Sequence, residues 1–214
     1  MKPDGRRRTP NRRGEGGLLR ADIVGAASEI VDETGGVSAV TLSAVARRIG
    51  IATPSIYPHF RNPDAIILAL QERDFAALHV DLDAAVEGAG ADPVGRLRAL
   101  CTAYLEFARE RPQQYQLLFG GIWNTRQAVA DSAIATADLA ELGQASLQRL
   151  TGLLRDCVDA GSSLSADPQG DAIALWVGLH GLAHQRIVSI AMDWPADIEE
   201  RLVRELARLR DQPG

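Results

Sequence analysis

The chain has 214 residues, of which 46% are apolar and 5% aromatic, and its formal net charge is −5. That length and apolar content suffice for one large domain or two small ones, and Ala, Leu and Arg dominate over β-branched runs, which favours helices. Two cysteines argue against a disulfide scaffold, no apolar stretch approaches the ~20 residues of a membrane span, and the basic N-terminus lacks the apolar core of a signal peptide, so a cytoplasmic protein is expected. The charge is uneven. Residues 1–61 carry ten Lys/Arg against six Asp/Glu, or +4, and residues 62–214 carry thirteen against twenty-two, or −9. A basic head on an acidic body points to a polyanion met by the head alone.

Residues 1–17 are rich in Gly, Pro and Arg and are expected to form a disordered basic arm. From Leu18 to about Glu33, apolar residues recur at helical spacing and Gly35-Gly36 ends the run. Thr41 is placed to cap a helix over 42–49, and Gly50 supplies a sharp turn. A very short helix follows, with Thr53 expected as its cap, Pro54 as its first residue and Pro58 limiting its length. Asn62-Pro63-Asp64 opens the next helix, which runs to about Val86. Further helices are expected at 93–110, in the aromatic stretch "PQQYQLLFG", at about 135–160 and 169–193, and at 195–211. No alternating strand pattern occurs, so the fold is expected to be all-α with about nine or ten helices.

Helix, glycine turn, short helix is the helix-turn-helix arrangement, in which the N-terminal residues of the second helix face base edges in the major groove. Thr53, Pro54 and Ser55 fall there. Tyr57 and His59 suit phosphate contacts, which position a protein without reading sequence. Ala44, Val45, Ile49, Ile56 and Phe60 supply the small core. Spacing alone leaves an ordinary helical hairpin as an equal alternative.

The stretch from Leu18 to about Leu70, and above all "VARRIGIATPSIYPHF", resembles the DNA-binding domain of the TetR (tetracycline repressor) family. The resemblance implies an N-terminal three-helix DNA-binding domain over residues 18–63 and a helical ligand-binding and dimerisation domain over 64–214. It implies a homodimer on a double-stranded operator of two-fold symmetry, with contacts from Thr41, Thr53, Pro54, Ser55, Tyr57 and His59. Pro63 stands where family members commonly carry Lys, so Arg61 is expected to take that phosphate contact. "LWVGLHGLAH", residues 175–184, is similar to the Trp-x-x-x-His-Gly signature of one C-terminal subclass. In the family, two late helices from each subunit form a four-helix bundle; here these are 135–160 and 169–193, with Gly178 and Gly181 offered for close approach.

The family also keeps a ligand cavity in its middle region, and such pockets are mostly apolar. Phe107, Tyr115, Phe119, Trp123 and His180 are the expected lining, suited to an unidentified small hydrophobic effector. His180 and His184 have a zinc-compatible i, i+4 spacing, but no third ligand accompanies them, so no metal and no cofactor are expected. The functional expectation is a transcriptional regulator, a ligand-released repressor rather than an enzyme. The alternative is a helical carrier or enzyme that kept the fold without binding DNA; no Ser/His/Asp set, phosphate loop or paired-carboxylate site favours it.

Overall fold

In a computed structural model of the chain, residues 16–131, 134–189 and 191–210 are described. Among them are nine α-helices, α1 (Gly16–Thr34), α2 (Leu42–Ile49), α3 (Pro63–Gly88), α4 (Pro93–Glu110), α5 (Pro112–Phe119), α6 (Thr125–Ala130), α7 (Thr136–Asp159), α8 (Pro168–Val188) and α9 (Ile198–Leu206), with 3-10 turns at Val37–Ala39 and Thr53–Ser55. No strand occurs among the described residues; Ser163 and Leu209 form one isolated antiparallel bridge. None of these helices is long and apolar enough to cross a membrane. The expected arm, residues 1–17, lies outside the described residues except for Gly16 and Gly17, which open α1.

One local rule starts most of the long helices. Asn62-Pro63, Asp92-Pro93 and Asp167-Pro168 each place a capping side chain before a proline whose missing N–H falls where no intrahelical bond is made. Asn62 Oδ1 accepts from Ala65 N at 2.8 Å, Asp92 Oδ2 from Gly95 N at 2.9 Å, and Asp167 Oδ1 from Gly170 N at 3.0 Å. The ends of α8 and α9 differ from expectation. α8 stops at Val188, where Ser189 caps it and a turn bonds Met192 N to Ser189 O. α9 starts only at Ile198, after a turn through Pro195, and Arg208 takes a positive φ of 49° just beyond its end. That left-handed residue lets 208–210 turn alongside 162–164, with Leu164 N bonded to Arg208 O and Arg210 N to Ser162 O.

The chain divides into two compact units, residues 1–74 with 116–138, and residues 75–115 with 139–214. The first unit is built around Ile23, Ala27 and Ile30 of α1, Val45 and Ala46 of α2, Ile56, Phe60, and Ile66 and Leu70 of α3, all buried. In the second, α4, α8 and α9 pack on one another. Its core contains Leu97, Leu100 and Cys101 of α4, Leu150, Leu154 and Cys157 of α7, Leu175 and Leu179 of α8, and Val203. Burial raises both thiols, Cys157 to about 11, consistent with inert packing residues.

Gly178 and Gly181 do different things. A Cβ at Gly178 would lie 2.6 Å from Leu206 Cδ1 and 3.4 Å from Leu202, so this glycine admits α9 of the same chain. A Cβ at Gly181 would meet nothing within 4 Å. The expectation that Gly178 serves contact between subunits is corrected accordingly. Replacing Gly178 by Leu should displace α9 and lower stability by about 1–3 kcal/mol, the usual range for overpacking. Denaturant unfolding read together with solution mass checks this: the midpoint should fall while the mass stays that of the wild type.

Candidate nucleic-acid interface

Thr41 begins the candidate interface. Its backbone is extended, and its Oγ1 accepts from Ala44 N at 3.1 Å, so the hydroxyl proton is left to donate to Ser43 Oγ, 3.2 Å away, or to a ligand. α2 then buries Val45 and Ala46 and ends at Gly50, whose φ of 73° is left-handed and whose N–H bonds back to α2. A side chain at Gly50 would strain that turn.

The expected short helix is a single 3-10 turn. Thr53 is its first residue; the N-cap is Ala52, with no side-chain cap, so Thr53 does not cap the element. Pro54 still sits in the first turn, where its missing N–H is harmless. Ile56 N bonds to Thr53 O, and His59 N and Phe60 N both bond to Ile56 O, so the chain continues in tight turns instead of an α-helix. Ile56 and Phe60 are 0% and 3% exposed. Holding these two inward turns the rest outward: Pro54, Ser55, Tyr57 and Arg61 are exposed, Thr53 and His59 half-exposed. Tyr57 is a large aromatic at 55% exposure. The 3-10 turn packs on α2, whose first turn is capped by the exposed Thr41.

Two features of this face escaped the sequence reading. The Arg20 guanidinium lies over the Phe60 ring, 4.5 Å from its centroid, which brings the start of α1 to the end of the segment 53–60. The neighbouring arginines of α2 are also divided. Arg48 bonds Glu29 at 3.2 Å and grips both carboxylate oxygens of Glu33, drawing the Glu33 carboxyl below its usual range. Arg47 is exposed and forms no ion pair with the described residues. Glu29 and Glu33, four apart on α1, were the signal for a partner on α2. Nothing in the spacing signalled Arg20.

The five residues expected to line a ligand site are divided between the units. Phe119, half-buried, and Trp123, buried, belong to the first; Phe107, Tyr115 and His180 belong to the second. There, the His180 ring lies tilted against Trp176 and Tyr104, with centroids 4.3 Å and 5.1 Å away, and Tyr104 meets Tyr115 edge-on at 6.3 Å. Tyr115 Oη donates to His180 O at 3.3 Å, and His180 Nδ1 donates to Trp176 O at 2.9 Å. Burial lowers the His180 pKa and raises both phenols. A separate cavity of about 420 Å³ lies between α4 and α9, lined by Arg98, Thr102, Ala196, Asp197, Glu199, Glu200 and Val203, none of them in the expected set. Among the described residues, no three His, Cys, Asp or Glu side chains gather as a metal site; His184 is exposed while His180 is half-buried.

A helix-turn-helix head joined to an all-helical body defines a DNA-binding transcriptional regulator, and comparison with known proteins places it further. Residues 23–70 match the family described as bacterial regulatory proteins, tetR family, and residues 97–209 the one described as tetracyclin repressor-like, C-terminal domain. The chain is 31% identical over 133 residues to YobS, an uncharacterized HTH-type transcriptional regulator of Bacillus subtilis strain 168; the match spans 61% of this chain and 68% of YobS. A Rhodococcus sp. RHA1 protein of unknown function shares the fold with a TM-score of 0.74 at 25% identity, over 92% of this chain and 100% of that one. The fatty acid degradation regulator FadR of Bacillus halodurans shares it with a TM-score of 0.68 at 15% identity, over 94% and 100%, a likeness of fold alone. The chain belongs to the TetR family.

His180 and His79 both have pKa values lowered mainly by burial, His79 with Ser146 Oγ 2.7 Å from its Nε2 and Arg149 nearby. Between the lowered folded value and the unfolded value of about 6.5, the unfolded chain binds more protons, so stability rises with pH. Thermal midpoints should therefore drop as pH falls through about 6.5, and His180→Gln should flatten that slope; a His180→Gln protein with the wild-type slope would remove His180 as a contributor.

Proposed function

We propose that this chain is a homodimeric repressor that reads a double-stranded operator and is released from it by a small hydrophobic ligand, acting by binding and not by catalysis. One observation carries the reading: a segment anchored by Ile56 and Phe60 turns Thr53, Pro54, Ser55 and Tyr57 outward together. Thr53, Pro54 and Ser55 meet base edges. Thr41, Tyr57, His59 and Arg61 contact phosphates, joined by Arg20 and Arg47.

The second copy packs against α8. Ile173, Val177 and Val188 are 41%, 56% and 55% exposed, and Gly181 and His184 are exposed between them. At about 100° per residue these five positions fall within an arc of about 80°, one open apolar stripe. Pairing two heads supplies the specificity that one short segment lacks. The effector binds in the second unit, among Tyr104, Phe107, Tyr115, Trp176 and His180, where aromatic faces surround one imidazole. It acts by favouring a dimer whose heads are wrongly spaced, and lowers DNA affinity by its differential affinity for the two states.

Retention on random DNA at low salt, lost as salt rises, separates this reading from a carrier or enzyme that does not bind DNA. Tyr57→Ala should weaken binding to all sequences about equally, while Thr53→Ala or Ser55→Ala should change base preference; binding profiles over a randomised operator check both. Val177→Glu should yield a folded monomer with weakened operator binding, read by solution mass and titration of the same sample. A Val177→Glu dimer of wild-type affinity would put the interface elsewhere.

A further inference from the structure

We infer that Trp123 is a positioning residue for DNA reading, acting through its hydrogen bond to Asp64; the inference rests on the operator-binding function proposed above. Trp123 lies inside the span matched to the C-terminal family domain, yet it belongs to the first unit, with the reading segment. Its indole is 6% exposed, and Nε1 donates to Asp64 Oδ1 at 2.8 Å. An indole N–H can only donate, so a buried one needs an acceptor, and Asp64 is the one it has.

Asp64 occupies a particular place. Asn62 caps α3, Pro63 follows, and Asp64 stands in the first turn, four residues beyond the buried Phe60. A second tie runs parallel to the first: the buried Gln71 donates from Nε2 to Leu117 O at 2.7 Å. Asp64 and Gln71 are seven residues apart and so share one face of α3. Arg73, nine residues beyond Asp64, lies on the opposite face, where it donates to Ser28 Oγ of α1 at 2.8 Å and to the buried Asp74. The first half of α3 is thus held from two sides, by α1 on one and by residues 117–123 on the other.

The reading segment feeds directly into this helix through His59, Phe60 and Arg61. Its own hydrogen bonds are few, so its aim follows the position of the first turn of α3. Loosening the Trp123 side frees that turn without removing any group that touches DNA. The loss should therefore fall on the operator complex, where aim matters, and spare non-specific binding, which is set by charge.

The experiment measures affinity for the selected operator and for random DNA, with the salt dependence of each, in full-length wild type, Trp123→Phe, Asp64→Ala, Asp64→Asn and the Trp123→Phe/Asp64→Ala pair. Thermal melts confirm folding. Trp123→Phe and Asp64→Ala should each lower operator affinity about three- to tenfold. The pair should be no worse than either alone, and Asp64→Asn, which keeps the acceptor, should stay near wild type. Random-DNA affinity and the salt slope should not move in Trp123→Phe, which leaves the charge unchanged, and should shift alike in Asp64→Ala and Asp64→Asn, which both remove one negative charge. If Trp123→Phe is unstable, Asp64→Ala carries the test alone, since it removes the same bond from the acceptor side. A folded Trp123→Phe or Asp64→Ala protein with wild-type operator affinity overturns the inference, as does an equal loss on both DNAs. Wild type without any preferred sequence overturns instead the function on which it rests.

Discussion

A segment that reads DNA must present polar groups to water and still hold one position, and the segment proposed for that role here is too short to hold itself. A three-residue 3-10 turn and the tight turns after it supply only a few backbone hydrogen bonds. Helices much longer than this are marginal alone, so packing must decide. Here the packing is done by Ile56 and Phe60, four residues apart and both buried. The neighbours of these two side chains explain much of the first unit. The preceding 3-10 turn rests on α2, which packs on α1; Thr41 and Gly50 set the bounds of α2, and Arg48 fastens α2 to the acidic face of α1. Arg20, lying on the Phe60 ring, makes the same contact from the polar side.

The second unit answers to a different demand. α4, α8 and α9 close around an apolar core, and Gly178 leaves room against α8 for Leu202 and Leu206 of α9. About 100° around α8 from Gly178, Ile173, Val177 and Val188 leave an apolar stripe exposed. Tyr104, Tyr115, Trp176 and His180 form an aromatic cluster in which the Tyr115 hydroxyl and His180 Nδ1 donate to backbone carbonyls. The proposed division of labour, with DNA met by the first unit and a second copy and an effector met by the second, rests on these differences.

Much of this was legible in the sequence because it is local. The Asx-Pro starts of α3, α4 and α8 are set by two adjacent residues, and the α2 boundaries by Thr41 and Gly50, so short-range rules reach them. The seven residues assigned to DNA contact form a short run plus Thr41, and the structure leaves all seven at least partly exposed. What sequence could not show depends on contacts between distant residues. Gly178 reads as a small residue in an apolar helix, and only the fold identifies Leu202 and Leu206 as its neighbours. Trp123 reads as one more aromatic for a pocket; its partner, Asp64, is 59 residues away. The six-residue α6 has too few turns for periodicity to register. The early end of α8 is likewise decided by the turns that follow it, not by its own apolar pattern.

Residues 53–61 are proposed to present a sequence-reading surface whose aim is set from behind by packing. Selection of bound fragments from random DNA by the full-length protein tests it most directly. The expected result is enrichment of one sequence with two-fold symmetry, its half-sites separated by about one helical turn or a multiple of it, and loss of that enrichment when Ile56 is replaced by Ala in a protein that still folds. Recovery of random sequence by the wild type, or the same enriched sequence from Ile56→Ala, would contradict it.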